Sequence, residues 1–318
     1  MAEQPHQQFQ APTDRTFPTR GKVILLICLI ILLILVGVIL FTPVVPSTFR
    51  IVSNSQSPST IMPGSGTTMF GLDAENTRVN TGETHLTYTN VSHLVDDWSS
   101  YPTGGSLFSS PVVTGGFVYV GSFDGRLYVF PAGGCGQAHC SPAWTSTPVG
   151  DRIFSTPAVA NGVVYVGSYD HKLYAFPAAG CGRFTCAPIW TSTPTGNQID
   201  ASPTVAGGVV FIGSDDGRLY AFRASGCGQP LCHPLWTSIA PASKYPVVVS
   251  TPAIADGIVY AGTYDAITGI GSLFAYNANG CGKSICSPLW SAVPGVDDIG
   301  YEAAPAISNG VIYDVALD

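Results

Sequence analysis

Charge is scarce in this chain. Of 318 residues only 10% are Asp, Glu, Lys or Arg, and 13 basic residues stand against 20 acidic ones. The formal net charge of −7 leaves no basic surface for nucleic acid. Low charge does not mean disorder, because 46% of the residues are hydrophobic and disordered chains are poor in them. Room for long helices is also lacking, since 36 Gly and 25 Pro interrupt nearly every helix-length window. There is no P-loop, no Ser-His-Asp order and no zinc-ligand spacing. Catalysis therefore has no sequence support.

What the chain does have is a beat. SSPVVTGGFVYVGSFDGRLYVF begins at Ser109, STPAVANGVVYVGSYDHKLYAF at Ser155 and ASPTVAGGVVFIGSDDGRLYAF at Ala201. A fourth copy begins at Ser250 and a partial fifth at Ala303. Trp98, Trp144, Trp190 and Trp236 are each 46 residues apart, and Trp290 follows at 54. Several short strands per period of 40 to 50 indicate a β-propeller. In the first copy Pro111–Val113 opens an inner strand and Gly115-Gly116 turns the chain. The β-branched, aromatic run from Phe117 is a second strand, and Asp124-Gly125 turns into a third over Arg126–Phe130. The fourth strand carries the Trp. Its indole is expected to plug the space between neighbouring blades.

The fold class expected is all-β, a propeller of four-stranded blades over residues 69–318, with four full repeats and a partial one. The strand around Trp98 is expected to close the ring against the last copy. Two readings of the short count stand, an imperfect five-bladed ring and a truncated longer propeller. Truncation is the one preferred.

The run GxVYVGSxDxxLYAF, as in Gly162–Phe176, resembles the repeat of quinoprotein-type, PQQ-like β-propellers, here a bacterial, membrane-anchored member. Phe70–Trp98 resembles the lead-in before the first blade. Such families include quinoprotein dehydrogenases and the propeller lipoprotein of outer-membrane barrel assembly. The resemblance implies, for the dehydrogenases, PQQ held against two adjacent cysteines, with calcium and a catalytic Asp. This chain has no adjacent Cys-Cys and no matching carboxylate motif. PQQ and calcium belong only to the alternative reading, a quinoprotein-like oxidoreductase; otherwise no cofactor, metal or catalytic residue is expected. Where the usual repeat carries a DAxTGxxxW-like stretch, this chain keeps only the Trp, after a PAxGCGxxxC-like run.

That run supplies eight of the nine cysteines, as Cys135/Cys140, Cys181/Cys186, Cys227/Cys232 and Cys281/Cys286. Two thiolates per unit are too few for structural zinc, so a disulfide within each hairpin is expected. The ninth, Cys28, lies in an apolar run of 19 residues, 23–41, which reads as a transmembrane helix. Arg15, Arg20 and Lys22 precede it, so residues 1–22 are read as a cytoplasmic tail and the rest as extracytoplasmic, in a single-pass cell-membrane protein. Residues 42–68, rich in Pro, Ser and Thr, read as a flexible stalk.

The Asp that recurs in each repeat, Asp124, Asp170, Asp216 and Asp265, is read as turn-forming. Variable links between blades and the turns after second strands share one face of a propeller. That face carries Asp124, Asp151, Arg152, His171, Gln198, Asp200, Lys244, Tyr245, Asp297, Asp298, Tyr301 and Glu302. Variable loops on a rigid scaffold suit recognition, with a protein or glycan as the expected ligand.

Overall fold

The computed structural model describes residues 48, 50–54, 69–77, 86–239, 247–265, 267, 271–292 and 303–314. The second repeat shows the plan. An inner strand, Ala158–Ala160, turns at Asn161-Gly162 into Val163–Gly167, which pairs antiparallel with Leu173–Pro177, which in turn pairs with Trp190–Ser192. Both turn residues have positive φ, 50° and 77°, as a tight hairpin turn demands. Each full repeat thus contributes four strands from the inside outward. The fold is an all-β propeller.

Why the second strand reads as an unbroken apolar run follows from the packing. On a sheet, successive side chains point to opposite faces. Tyr165, Leu173 and Ala175 lie in one buried cluster with Val205, Val210, Ile212 and Phe222 of the third repeat. Their neighbours Val164, Val166, Tyr174 and Phe176 lie in another with Val112, Tyr119, Leu127 and Val129 of the first. Alternation is present, but both faces are covered, so polar residues have no place on either.

The Ser/Thr-Pro element that opens each repeat links one blade to the next. The Ser110 amide donates to Thr156 Oγ1 at 3.3 Å, the Thr156 amide to Ser202 Oγ at 2.9 Å, and the Ser202 amide to Thr251 Oγ1 at 2.9 Å. Hydroxyl side chains thereby satisfy backbone donors that no ladder reaches.

The cysteine hairpins do something the sequence did not show. All four disulfides form as paired above. Each hairpin also ends in a two-residue strand that reaches back to the preceding blade. Thr185–Cys186 pairs parallel with Trp144–Ser146, Leu231–Cys232 with Trp190–Ser192, and Ile285–Cys286 with Trp236–Ser238. The first hairpin, His139–Cys140, pairs in the same sense with Ser99-Ser100. Three of the four five-stranded sheets therefore combine four strands from one repeat with one from the next. The glycine before each hairpin's first Cys lies close against the earlier indole: a Cβ on Gly180, at φ +81°, would sit 2.9 Å from Trp144 Cδ1.

Three further features depart from or extend the sequence expectations. The strand of Trp98, Leu94–Ser100, pairs with Arg50–Asn54, not with the last copy. Arg50–Asn54 lies inside the stretch expected as stalk, which corrects that part of the expectation: strand pairing, not composition, decides there. The lead-in around Met69–Thr77 lies along inner strands, with the Ile254 amide donating to the Ala74 carbonyl at 2.6 Å and Ile307 to Glu75 at 2.8 Å. Buried Asn76 donates to the Pro252 and Pro305 carbonyls at 3.2 and 3.1 Å. The expected transmembrane segment, residues 23–41, lies outside the described residues; among those described, no helix is long and apolar enough to cross a membrane.

Four of the five tryptophans, Trp98, Trp144, Trp190 and Trp236, are 3–4% exposed, each beneath the next repeat's hairpin. Trp290 is 49% exposed, and no hairpin covers it among the described residues. Truncating a buried Trp costs about 3–5 kcal/mol, so Trp190→Ala is expected to lower unfolding stability in urea by that order and Trp290→Ala by under about 1 kcal/mol. Replacing Cys181 and Cys186 together by Ser is expected to cost about 2 kcal/mol in the same measurement, the loop entropy of a short cross-link.

Candidate functional site

Each linker between blades is bonded to the turn after the following second strand. The Phe123 amide donates to the Ser106 carbonyl, Tyr169 to Arg152, and Asp215 to Gln198, all at 3.0 Å. The same three backbone positions thus recur in three repeats, as Ser106/Phe108/Phe123, Arg152/Phe154/Tyr169 and Gln198/Asp200/Asp215. Side chains at these positions change from aromatic, to aromatic with a cation, to amide and acid. The scaffold is constant and the chemistry is graded.

At the aromatic end Phe108 and Phe123 stack with centroids 4.6 Å apart, and Phe154 lies 5.8 and 5.9 Å from them. Phe108 is 61% exposed, an unusual position for a large apolar ring. Arg152 spans the middle. Its guanidinium carbon is 5.5 Å from the Phe123 centroid and 5.4 Å from that of Tyr169, within cation–π range. Its Nε also lies 3.5 Å from Asp151 Oδ1, an ion pair about half exposed on both sides and so of little stabilising value.

At the acidic end Asp215 is buried and its Oδ2 accepts from Gln198 Nε2 at 3.0 Å. Burial, with the nearby Asp200 carboxylate adding to it, pushes the Asp215 carboxyl up to about 7, against a smaller lowering by Gln198. Burial also raises Asp200, opposed by the Tyr169 hydroxyl bond and by Arg152. Tyr169 is raised by burial and by that bond to Asp200.

Among the residues expected on this face, Arg152, Gln198 and Asp200 come together and Asp151 borders them. Asp124 and His171 do structural work instead. Asp124 Oδ2 accepts from Tyr128 Oη at 2.6 Å and its Oδ1 from the Arg126 amide at 3.0 Å, and Asp216 repeats both contacts. Asp170 accepts from Tyr174, and Asp265 from the Ile267 amide. His171 has φ +71° where the equivalent turns carry Gly125 and Gly217, and its carbonyl accepts from Thr195 N and Oγ1. Lys244, Tyr245, Asp297, Asp298, Tyr301 and Glu302 lie outside the described residues. Phe108, Phe123, Phe154, Tyr169 and Asp215 were missed. Their signal was the 46-residue register, which aligns 108 with 154 and 200, and 123 with 169 and 215.

The described residues offer no adjacent cysteine pair of the kind the dehydrogenase resemblance implies. The eight described cysteines are all spent in disulfides between residues five apart, so no adjacent pair is available. Among the described residues no three His, Cys, Asp or Glu side chains gather as metal ligands.

With the geometry in place, comparison with known proteins adds the repeat type. The family model of the outer membrane protein assembly factor BamB matches residues 137–283, just under half of the chain. The repeats are of the PQQ-like propeller type. Quinohemoprotein alcohol dehydrogenase from Comamonas testosteroni is similar in structure, with a TM-score of 0.60 and 17% identity over 78% of this chain and 45% of its own. A europium-containing methanol dehydrogenase matches with a TM-score of 0.56 and 18% identity, over 74% of this chain and 50% of that one. BamB from Moraxella catarrhalis, 14% identical, gives 0.41 over 70% of this chain and 83% of its own. No curated protein matches the sequence. The PQQ-like propeller described here thus spans half or less of the two dehydrogenases, and at these identities the likeness is one of fold.

The raised Asp215 carboxyl makes folding pH-dependent in a defined direction. Its folded pKa lies above the unfolded value, so the fold holds the proton more tightly, and stability falls as pH rises from about 4 to about 7. Asp215→Asn keeps the acceptor for Gln198 and removes the ionisation. In urea unfolding the variant is expected to gain stability over the parent at about pH 8 and to match it only at about pH 3.5, below the unfolded carboxyl's pKa.

Proposed function

We propose that this protein is a membrane-anchored, extracytoplasmic propeller that binds or scaffolds a partner through the face of Phe108, Arg152 and Asp200. The observation that carries the reading is the exposed Phe108 stack, continuous with a cation held between two aromatic rings. Exposed aromatics and an arginine on a rigid framework are the residue types that dominate recognition surfaces. A protein or a glycan is the ligand class that such a surface suits. Anchoring through residues 23–41, with residues 1–22 cytoplasmic, rests on the apolar run and the basic residues before it.

The BamB-type model match agrees with a scaffolding role, and the dehydrogenase likeness with an oxidoreductase, so the two are tested apart. In an envelope cross-linking pull-down with the full chain, a partner is expected that the Phe108→Ala/Arg152→Ala double variant retains at least tenfold less well, as for residues central to an interface. Equal retention by both forms would remove this face from the reading. Reduction of an electron-acceptor dye after addition of quinone and calcium would favour the oxidoreductase instead.

A further inference from the structure

Three of the seams between blades are closed by the same latch. In the third strand of each of the first three repeats, a Tyr hydroxyl accepts from a glycine amide of the preceding linker. Gly104 donates to Tyr128 at 3.2 Å and Gly196 to Tyr220 at 3.3 Å, and Gly150 is bonded to Tyr174 in the same way. The same hydroxyls donate to Asp124, Asp170 and Asp216. Two residues on, the buried rings of Phe130, Phe176 and Phe222 fill the seam. The pattern is Tyr-x-Phe each time.

The fourth repeat inverts it. Phe274-Ala275-Tyr276 moves the hydroxyl two residues along the strand, and Phe274 can make no latch. Three neighbouring side chains shrink as well. Ala261 stands where the earlier repeats have Val120, Val166 and Ile212, and Ser272 where they have Arg126, Lys172 and Arg218. Val249, which packs on Gly213, replaces the Ile153 and Ile199 that pack on Gly121 and Gly167. Between the third and fourth blades lies a cavity of about 360 Å³, whose walls include Leu219, Ser238, Val249, Ala261, Phe274 and Tyr276. Close-packed interiors leave few voids larger than a water molecule, and this volume falls among small-ligand pockets.

The walls are mainly apolar, and among the described residues no charged side chain lines them. Their hydroxyls are largely committed. Thr263 Oγ1 donates to the Ser272 carbonyl at 3.1 Å and accepts from the Ser272 amide at 2.9 Å. Ser238 Oγ accepts from the Leu219 amide at 3.0 Å and donates to the Ile239 carbonyl at 3.2 Å. Buried Tyr276 is bonded to the Ser238 side chain. With the Ser238 proton spent on Ile239, the Tyr276 hydroxyl donates to Ser238 and keeps its own lone pairs for a donor. We infer that this seam is a binding site for a small, uncharged, mainly apolar molecule whose single hydroxyl donates to Tyr276. A charged ligand would meet no counter-charge there. The inference is independent of the role proposed for the Phe108 face.

The test uses the full chain in lipid nanodiscs, with empty nanodiscs as the partitioning blank. The probe is para-bromobenzyl alcohol, whose bromine quenches tryptophan at short range. Trp236, with its ring centroid 6.1 Å from that of Tyr276, is the reporter. Saturable quenching is expected. Ala261→Val and Ala261→Ile, each installing the residue of an earlier repeat, are expected to refill the seam and weaken binding at least about tenfold without loss of stability in urea. Para-bromotoluene, which lacks the hydroxyl, is expected to bind the parent about tenfold more weakly than the alcohol. Tyr276→Phe, again the residue of the earlier repeats, is expected to erase that difference. Absence of saturable quenching overturns the inference. So does quenching that both Ala261 variants leave unchanged, or equal binding of the alcohol and the toluene by the parent.

Discussion

The central sheets of this propeller cannot stand alone, because each has two apolar faces that only its neighbours cover. Burial of both faces between neighbours is the constraint from which the rest follows. It explains why Val163–Gly167 carries no polar side chain inside it, and why odd and even residues of one strand fall into different buried clusters. It also explains the choice of hydroxyl residues before each proline. Where adjacent inner strands meet, a short Ser or Thr side chain reaches the preceding blade's amide without adding bulk to a crowded centre.

The outer rim faces a different problem. A fourth strand has a free edge, and its Trp would be half in water. The disulfide hairpin answers both at once by adding a parallel strand to that edge and laying a glycine on the indole. Parallel pairing across repeats ties residue 145 to residue 185, so the clasp joins blades rather than closing one. The disulfide itself fixes a short loop with a modest entropic gain; its greater effect is to hold the hairpin in the shape that the preceding blade requires.

This distinction marks what could be read in the sequence. Repeat length, strand order and cysteine partners are local or periodic and were all legible there. The hairpin's reach backward was not, because nothing in a CGxxxC spacing says which neighbouring strand it meets. Arg50–Asn54 was hidden by its polar, proline-flanked surroundings, yet it pairs with Leu94–Ser100 through backbone groups that composition does not report. Of the recognition face, the charged members Arg152 and Asp200 were legible as variable polar residues in linkers. Phe108 and Phe154 were not, since an apolar residue in a repeat suggests core until its exposure is known.

The two surfaces differ in what sets them. The rim is written by identity: the same Gly, Cys and Trp return every repeat, and any one hairpin resembles the others. The linker face is written by difference on an identical backbone, where the amide of one turn always meets the carbonyl of one linker while the side chains pass from Phe to Arg to Asp. A substitution at Phe108, Arg152 or Asp215 therefore changes chemistry without changing the backbone bonds that position it. The clasps lie on the outer strands, away from those bonds. Their rigidity lets the linker face diverge from repeat to repeat, because none of the propeller's cross-blade strand pairing depends on which side chains that face displays.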